Sequence, residues 1–113
     1  MRFIGLKACD TCKKAQKALT AAGHEITVTD VRADGLAEAE LRAWIAAKGI
    51  DVLINRRSTT WRGLDEAARS TAETTDGAVA LLLEHPTLMK RPVIIAGGDI
   101  HVGWDKATQA ALL

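Results

Sequence analysis

The order of patterns in the first thirty residues narrows the choice of fold more than anything else in this chain. Arg2-Phe3-Ile4-Gly5-Leu6 is a short apolar run of strand type, followed by a loop at Lys7-Ala8. A helix is expected through Lys13 to Leu19, capped by Asp10 or Thr11 and stopped by Gly23. Ala15, Ala18, Leu19 and Ala22 fall at helical spacing and form its expected buried stripe. His24 to Thr29 alternates with β-branched residues and reads as a second strand. Two strands joined through a helix point to a parallel βαβ unit, because a tight turn joins only antiparallel strands. The chain is thereby directed to the α/β class.

The middle of the chain changes character. Leu36 to Lys48 carries Leu41, Trp44 and Ile45 on one helical face and ends at Gly49. Val52-Leu53-Ile54 reads as a short helix or buried turn. Gly63 to Thr74 and Asp76 to Glu84 read as two further helices, the second capped by Thr75 or Asp76. Arg91 to Ala96 is a third strand with its proline at the start, where a missing N–H does least harm. Gly97-Gly98-Asp99 is a hairpin turn into Ile100 to Val102, and Trp104 to Leu113 is a terminal helix. The 113 residues suit one domain, 1–113, with a helical insertion over about 36–90.

Fifteen basic against fourteen acidic residues leave a net charge of +1, so no global field favours nucleic acid, and direct nucleic-acid binding is not expected. The opening apolar run is too short for a signal-peptide core, and Gly77 to Leu83 is too short to span a membrane. A cytoplasmic location without membrane association is the expectation. In that compartment two cysteines point to catalysis, redox sensing or metal binding rather than a structural bridge.

Those two cysteines, Cys9 and Cys12, lie between the first strand and the first helix. A thiol there meets free backbone N–H groups and the positive end of the helix dipole, and both favour thiolate. Three residues apart, both sulfurs can share one side of the first turn and bridge. Cys9 is then the exposed nucleophile and Cys12 the resolving thiol, with Lys13 and Lys14 adding positive charge and Asp10 opposing it. Two other readings stay open at this point. One is half a zinc site, although His24, His85 and His101 are scattered singly and no metal is expected. The other is a pair of inert small residues packed at a strand–helix junction.

Two further segments carry chemistry. If the third strand lies beside the first, Arg91-Pro92 approaches the cysteine turn, and Arg91 can hold an anion or thiolate there. A surface arginine before an edge strand is the alternative. Asn55-Arg56-Arg57-Ser58-Thr59-Thr60-Trp61-Arg62 sets three arginines near one tryptophan. Such a loop suits a carboxylate, phosphate or oxyanion, or else is a solvated face pinned by Trp61.

Taken together, Gly5 to Ala15, Asp30 to Leu36, Leu53 to Leu64 and Leu88 to Ile94 resemble the ArsC family of thioredoxin-fold proteins. That family covers arsenate reductases, the Spx regulators and YffB-like reductases, and Thr59-Thr60-Trp61 looks most like the YffB-like branch. The resemblance implies a thioredoxin-like fold, βαβ, helical insertion, then ββα, around a mixed sheet. It implies Cys9 as catalytic cysteine, Arg91 as the conserved arginine and Pro92 as the cis proline. Arg57, Pro92 and Lys13 would contact the substrate. Of the two further oxyanion arginines of arsenate reductases, one falls on Asn55, beside Arg56 and Arg57, and the other near Gly103, so the set is incomplete here. The implied activity is that of a thiol-dependent reductase acting on an oxyanion or a glutathione mixed disulfide. No bound cofactor is implied. The reductant would be glutathione or an external dithiol, with glutaredoxin or thioredoxin as partner. The alternative within the family is an Spx-like redox-sensing regulator that binds RNA polymerase.

Overall fold

The computed structural model describes residues 1–113, which divide into two compact units. The first contains Met1–Asp34 and Arg91–Leu113, and the second Gly35–Lys90.

The first unit is built on β1 (Arg2–Gly5), β2 (Thr27–Asp30), β3 (Val93–Ala96) and β4 (Asp99–Val102). They form one mixed sheet in the order β2-β1-β3-β4. β1 runs parallel to β2, with Gly5 opposite Asp30, and antiparallel to β3, with Phe3 opposite Ile94. Helix α1 (Asp10–Ala21) makes the parallel crossover. Its end is fixed by Gly23 at φ 91°, where the His24 and Gly23 N–H groups reach back to the Leu19 and Thr20 carbonyls. A two-residue turn at Gly97-Gly98 joins β3 to β4, and Gly97 takes the positive φ, 61°, that such turns require.

Strand alternation sends Phe3 and Ile94 to one face of the sheet, where they are fully buried with Cys12, Ala15 and Leu19 of α1 and with Leu112 of α7 (Lys106–Leu112). The α1 stripe is therefore Cys12-Ala15-Leu19. Ala22, expected on it, is exposed because it caps the helix rather than facing the sheet. Burying each large side chain of this cluster contributes about 1.5–3 kcal/mol. Asp105 caps α7, its carboxylate accepting the Thr108 N–H at 2.8 Å.

The second unit is helical: α2 (Glu38–Lys48), α3 (Ile50–Leu53), α4 (Thr59–Arg62), α5 (Glu66–Ser70) and α6 (Thr75–Glu84), with single 3-10 turns at Thr71–Glu73 and Pro86–Leu88. Leu41, Trp44 and Ile45 are buried as their spacing predicts. The helix expected over Gly63 to Thr74 is instead broken. Asp65 caps α5 by accepting the Ala68 N–H at 2.8 Å, which restarts the helix after Gly63. Likewise α6 is capped by Thr74, not by Thr75 or Asp76, through the Gly77 N–H. Gly77 has no substitute there, since a Cβ would lie 1.7 Å from the Thr71 carbonyl oxygen.

Candidate functional site

The cysteine turn is assembled by β1, β3 and α1. Cys9 is the N-cap of α1, so neither Asp10 nor Thr11 caps the helix; both already lie inside its first turn. The Cys9 N–H closes a turn onto the Leu6 carbonyl at 3.0 Å, and the Cys9 carbonyl accepts the Lys13 N–H at 3.0 Å. Cys9 is half-buried and Cys12, one turn further in, is fully buried; both are free thiols.

The two sulfurs differ electrostatically. Burial works against ionisation of Cys9, but the Cys12 N–H, the Cys12 thiol and the Arg91 guanidinium all favour the thiolate and together hold its pKa below the ordinary value. Cys12 behaves oppositely. Burial, reinforced by the neighbouring Cys9, pushes its thiol up to about 11 despite the Leu6 N–H. A partly exposed thiol whose ionisation is favoured thus sits against a buried thiol whose ionisation is opposed.

Two backbone features allow this approach. Gly5 ends β1 beside Cys12, and a Cβ there would lie 2.9 Å from the Cys12 sulfur and 2.9 Å from the Phe3 ring. The Arg91–Pro92 peptide bond is cis, and Pro92 is buried at the entry to β3, its carbonyl accepting the Gly103 N–H at 2.8 Å. Since β3 lies beside β1, the Arg91 side chain reaches Cys9, as the sequence suggests it would.

The ArsC family profile matches residues 4–112. The chain belongs to the ArsC family. Its relatives include an uncharacterised protein of Haemophilus influenzae, 44% identical over 108 residues, 95% of this chain and 94% of that one. An arsenate reductase of Rhizobium meliloti is 36% identical over 93 residues, covering 79% of this chain and 64% of its own. Among solved structures, a YFFB protein superimposes with a TM-score of 0.90 at 38% identity, covering 99% of this chain and 97% of that chain.

The other expected site residues of this ArsC-family chain are Lys13, in the first turn after Cys12, and Arg57, in the second unit. Lys13 is on the exposed face of α1, where it lines a shallow concavity with Gln16, Lys17 and Thr20. Arg57 belongs to the second unit and lines a cavity of about 550 Å³ with Asp51, Asn55, Arg56 and Lys90. Within that unit Arg56 is engaged, ion-paired to Asp51 at 2.5 Å and stacked 5.3 Å from the Trp61 ring. Arg69 takes the other partnership with Trp61, donating to its carbonyl at 3.2 Å. Arg57 is held only through its backbone, whose N–H goes to the Asn55 side chain at 3.0 Å, so its guanidinium is exposed. The stretch read as a charged loop is half helical, because Ser58 caps α4 by accepting the Trp61 N–H. No group of three or more His, Cys, Asp or Glu is placed to hold a metal ion.

Sequence reasoning missed the contributions of Gly5 and Asp30. Gly5 reads as an ordinary strand residue until the neighbouring helix is known. Asp30 ends β2 and accepts backbone N–H groups of the cysteine loop and of its own turn, which lowers its pKa chiefly through Ala33 and Lys7.

Proposed function

We propose that this chain is a thiol-dependent reductase with Cys9 as nucleophile and Cys12 as resolving thiol. The observation that carries the reading is the opposed pair of pKa shifts one helical turn apart, with Arg91 beside the lower one. Membership of a family that includes a relative named arsenate reductase supports the same class of chemistry.

In the first step the Cys9 thiolate attacks the sulfur of a mixed disulfide. A Cys9–substrate S–S bond forms, the original S–S bond breaks, and the departing thiolate takes a proton from water. Cys12 then loses its proton and attacks the Cys9 sulfur, releasing the second thiol and leaving a Cys9–Cys12 disulfide. Glutathione or an external dithiol, supplied by glutaredoxin or thioredoxin, returns two electrons and two protons. For an oxyanion substrate, Cys9 would attack the central atom with loss of water, and Arg91 would balance the anion's charge. Carboxylates of a glutathionyl substrate would use Arg91 in the same way, and Arg57 supplies an anion-binding group in the second unit.

Mass spectrometry of the protein after incubation with oxidised glutathione tests this. Wild type should end as an internal Cys9–Cys12 disulfide, and Cys12→Ala as a single glutathione adduct on Cys9. Full thiol-reductase activity in Cys9→Ser would overturn the assignment.

A further inference from the structure

The turn that carries Cys9 is not held by its own residues alone. Leu6-Lys7-Ala8-Cys9 closes on itself through the Cys9 N–H and the Leu6 carbonyl, but the Lys7 N–H points outward, to a carboxylate 23 residues away. That carboxylate is Asp30, at the end of β2 and opposite Gly5 in the parallel register. Its Oδ2 accepts from Lys7 at 2.9 Å, while its Oδ1 accepts from Arg32 at 2.8 Å and Ala33 at 2.9 Å. The Asp30 N–H in turn donates to the Asp34 carboxylate at 2.8 Å, and the Asp34 N–H to the Asp30 carbonyl at 2.9 Å. One oxygen therefore organises the turn after β2, and the other grips the cysteine turn.

We propose that Asp30 is a positioning residue for the reactive thiol: its carboxylate locks the Leu6–Cys9 turn against β2, and so holds Cys9 opposite Arg91. Leu6 connects the anchor to both cysteines, to the backbone of Cys9 and the sulfur of Cys12. Its carbonyl receives the Cys9 N–H, and its own N–H faces the Cys12 sulfur. A shift of Lys7 therefore moves the backbone anchor of Cys9 and a contact of the Cys12 thiol. Asp30 itself does not act on the reacting sulfur; the groups that do are Cys12 and Arg91. Only a residue accepting on two sides can serve here. Asparagine offers one accepting oxygen, enough for the Arg32 and Ala33 N–H groups or for Lys7, but not for both.

The inference rests on Cys9 being the reactive thiol, and the test separates the two ideas. The pH dependence of Cys9 alkylation by iodoacetamide is measured in wild type, Asp30→Ala, Asp30→Asn and Asp34→Ala, together with amide exchange at Lys7. Loss of a nearby carboxylate would, by charge alone, lower the thiol pKa and speed alkylation. Loss of position does the reverse. Asp30→Ala should slow alkylation at pH 7 by about threefold or more and raise Lys7 exchange by about tenfold. Asp30→Asn should change both in the same direction and by less, which keeps the test available if the alanine variant fails to fold. Asp34→Ala breaks only the second turn and should match wild type. Wild-type alkylation rates in folded Asp30 variants, or an equal slowing in Asp34→Ala, would overturn the proposal. If wild-type Cys9 alkylates no faster than an ordinary thiol, the nucleophile assignment fails, and Lys7 exchange still decides what Asp30 holds.

Discussion

Replacing Arg91 with methionine removes the cation that bonds to Cys9 and keeps much of the side chain's length. Two unit charges about 4 Å apart interact by about 4 kcal/mol at an effective dielectric of 20. Cys9 is half-buried rather than enclosed, so solvent screening reduces this to roughly 1–1.5 kcal/mol, about one pKa unit upward. The sign follows from the charge: without Arg91 the thiolate is less favoured, and a higher pH is needed to form it. Well below the pKa the thiolate fraction falls about tenfold, while each remaining thiolate becomes about threefold more nucleophilic as its basicity rises. Alkylation of Cys9 should therefore be about threefold slower near pH 6 and about threefold faster near pH 10, the two profiles crossing between. Iodoacetamide kinetics followed by mass spectrometry across that range would measure it, with circular dichroism confirming the fold. Profiles that fall together at both ends, or that superimpose on wild type, would refute an electrostatic role for Arg91.

Three other perturbations have defined outcomes. Cys12 ionises near 9 when unfolded and near 11 in the fold, so the native state keeps its proton longer and loses stability as pH rises through that window, by roughly 2–3 kcal/mol at most. Urea titrations of reduced protein should show that loss in wild type but not in Cys12→Ala. Gly5→Ala places a Cβ 2.9 Å from both the Cys12 sulfur and the Phe3 ring. Both neighbours are fully buried, so the melting free energy should fall by about 1–3 kcal/mol, and an unchanged melting curve would show that the turn yields freely. Gly77→Ala meets backbone rather than side chain, at 1.7 Å from the Thr71 oxygen, and should cost about 3 kcal/mol or more, read as loss of helical ellipticity.

The parts of the fold legible in the sequence are those whose signals are local and periodic. The β1–α1–β2 crossover follows from apolar runs and Gly23, and β3–β4 from the Gly97-Gly98 turn. Helix boundaries were less legible, for a physical reason. Capping is a competition between neighbouring polar residues, and at α6 Thr74 won over Thr75 and Asp76 because only its hydroxyl faces the Gly77 N–H. At α1 the position went to a cysteine, a poor cap by propensity, because the tight turn from Leu6 brings the chain into the helix one residue before Asp10. The site divides along the same line. Cys9, Cys12 and Arg91-Pro92 are readable because residue type and adjacency carry their chemistry. Asp30 and Gly5 act through partners in another strand or helix, and no pattern within a window of sequence encodes such a pairing.

In the proposed reaction the three-residue spacing of the two thiols would favour an ordered sequence over two competing nucleophiles. Cys12 is kept protonated first by burial and then by Cys9, whose sulfur accepts the Cys12 S–H and whose negative charge disfavours a second one beside it. When Cys9 becomes covalently bonded, its charge disappears, and with it the contributions to the Cys12 shift that come from Cys9. Burial remains, while the Leu6 N–H still favours the Cys12 thiolate and the Arg91 charge is no longer balanced by Cys9. The Cys12 pKa should therefore be lower in a Cys9 adduct than in the free dithiol. In the proposed reaction Cys12 would thus be restrained while an attack would be wasted and released once a Cys9 adduct exists. Gly5 is the structural condition for this coupling, since it lets the Cys12 sulfur lie close to the end of β1, where the Leu6 N–H can reach it.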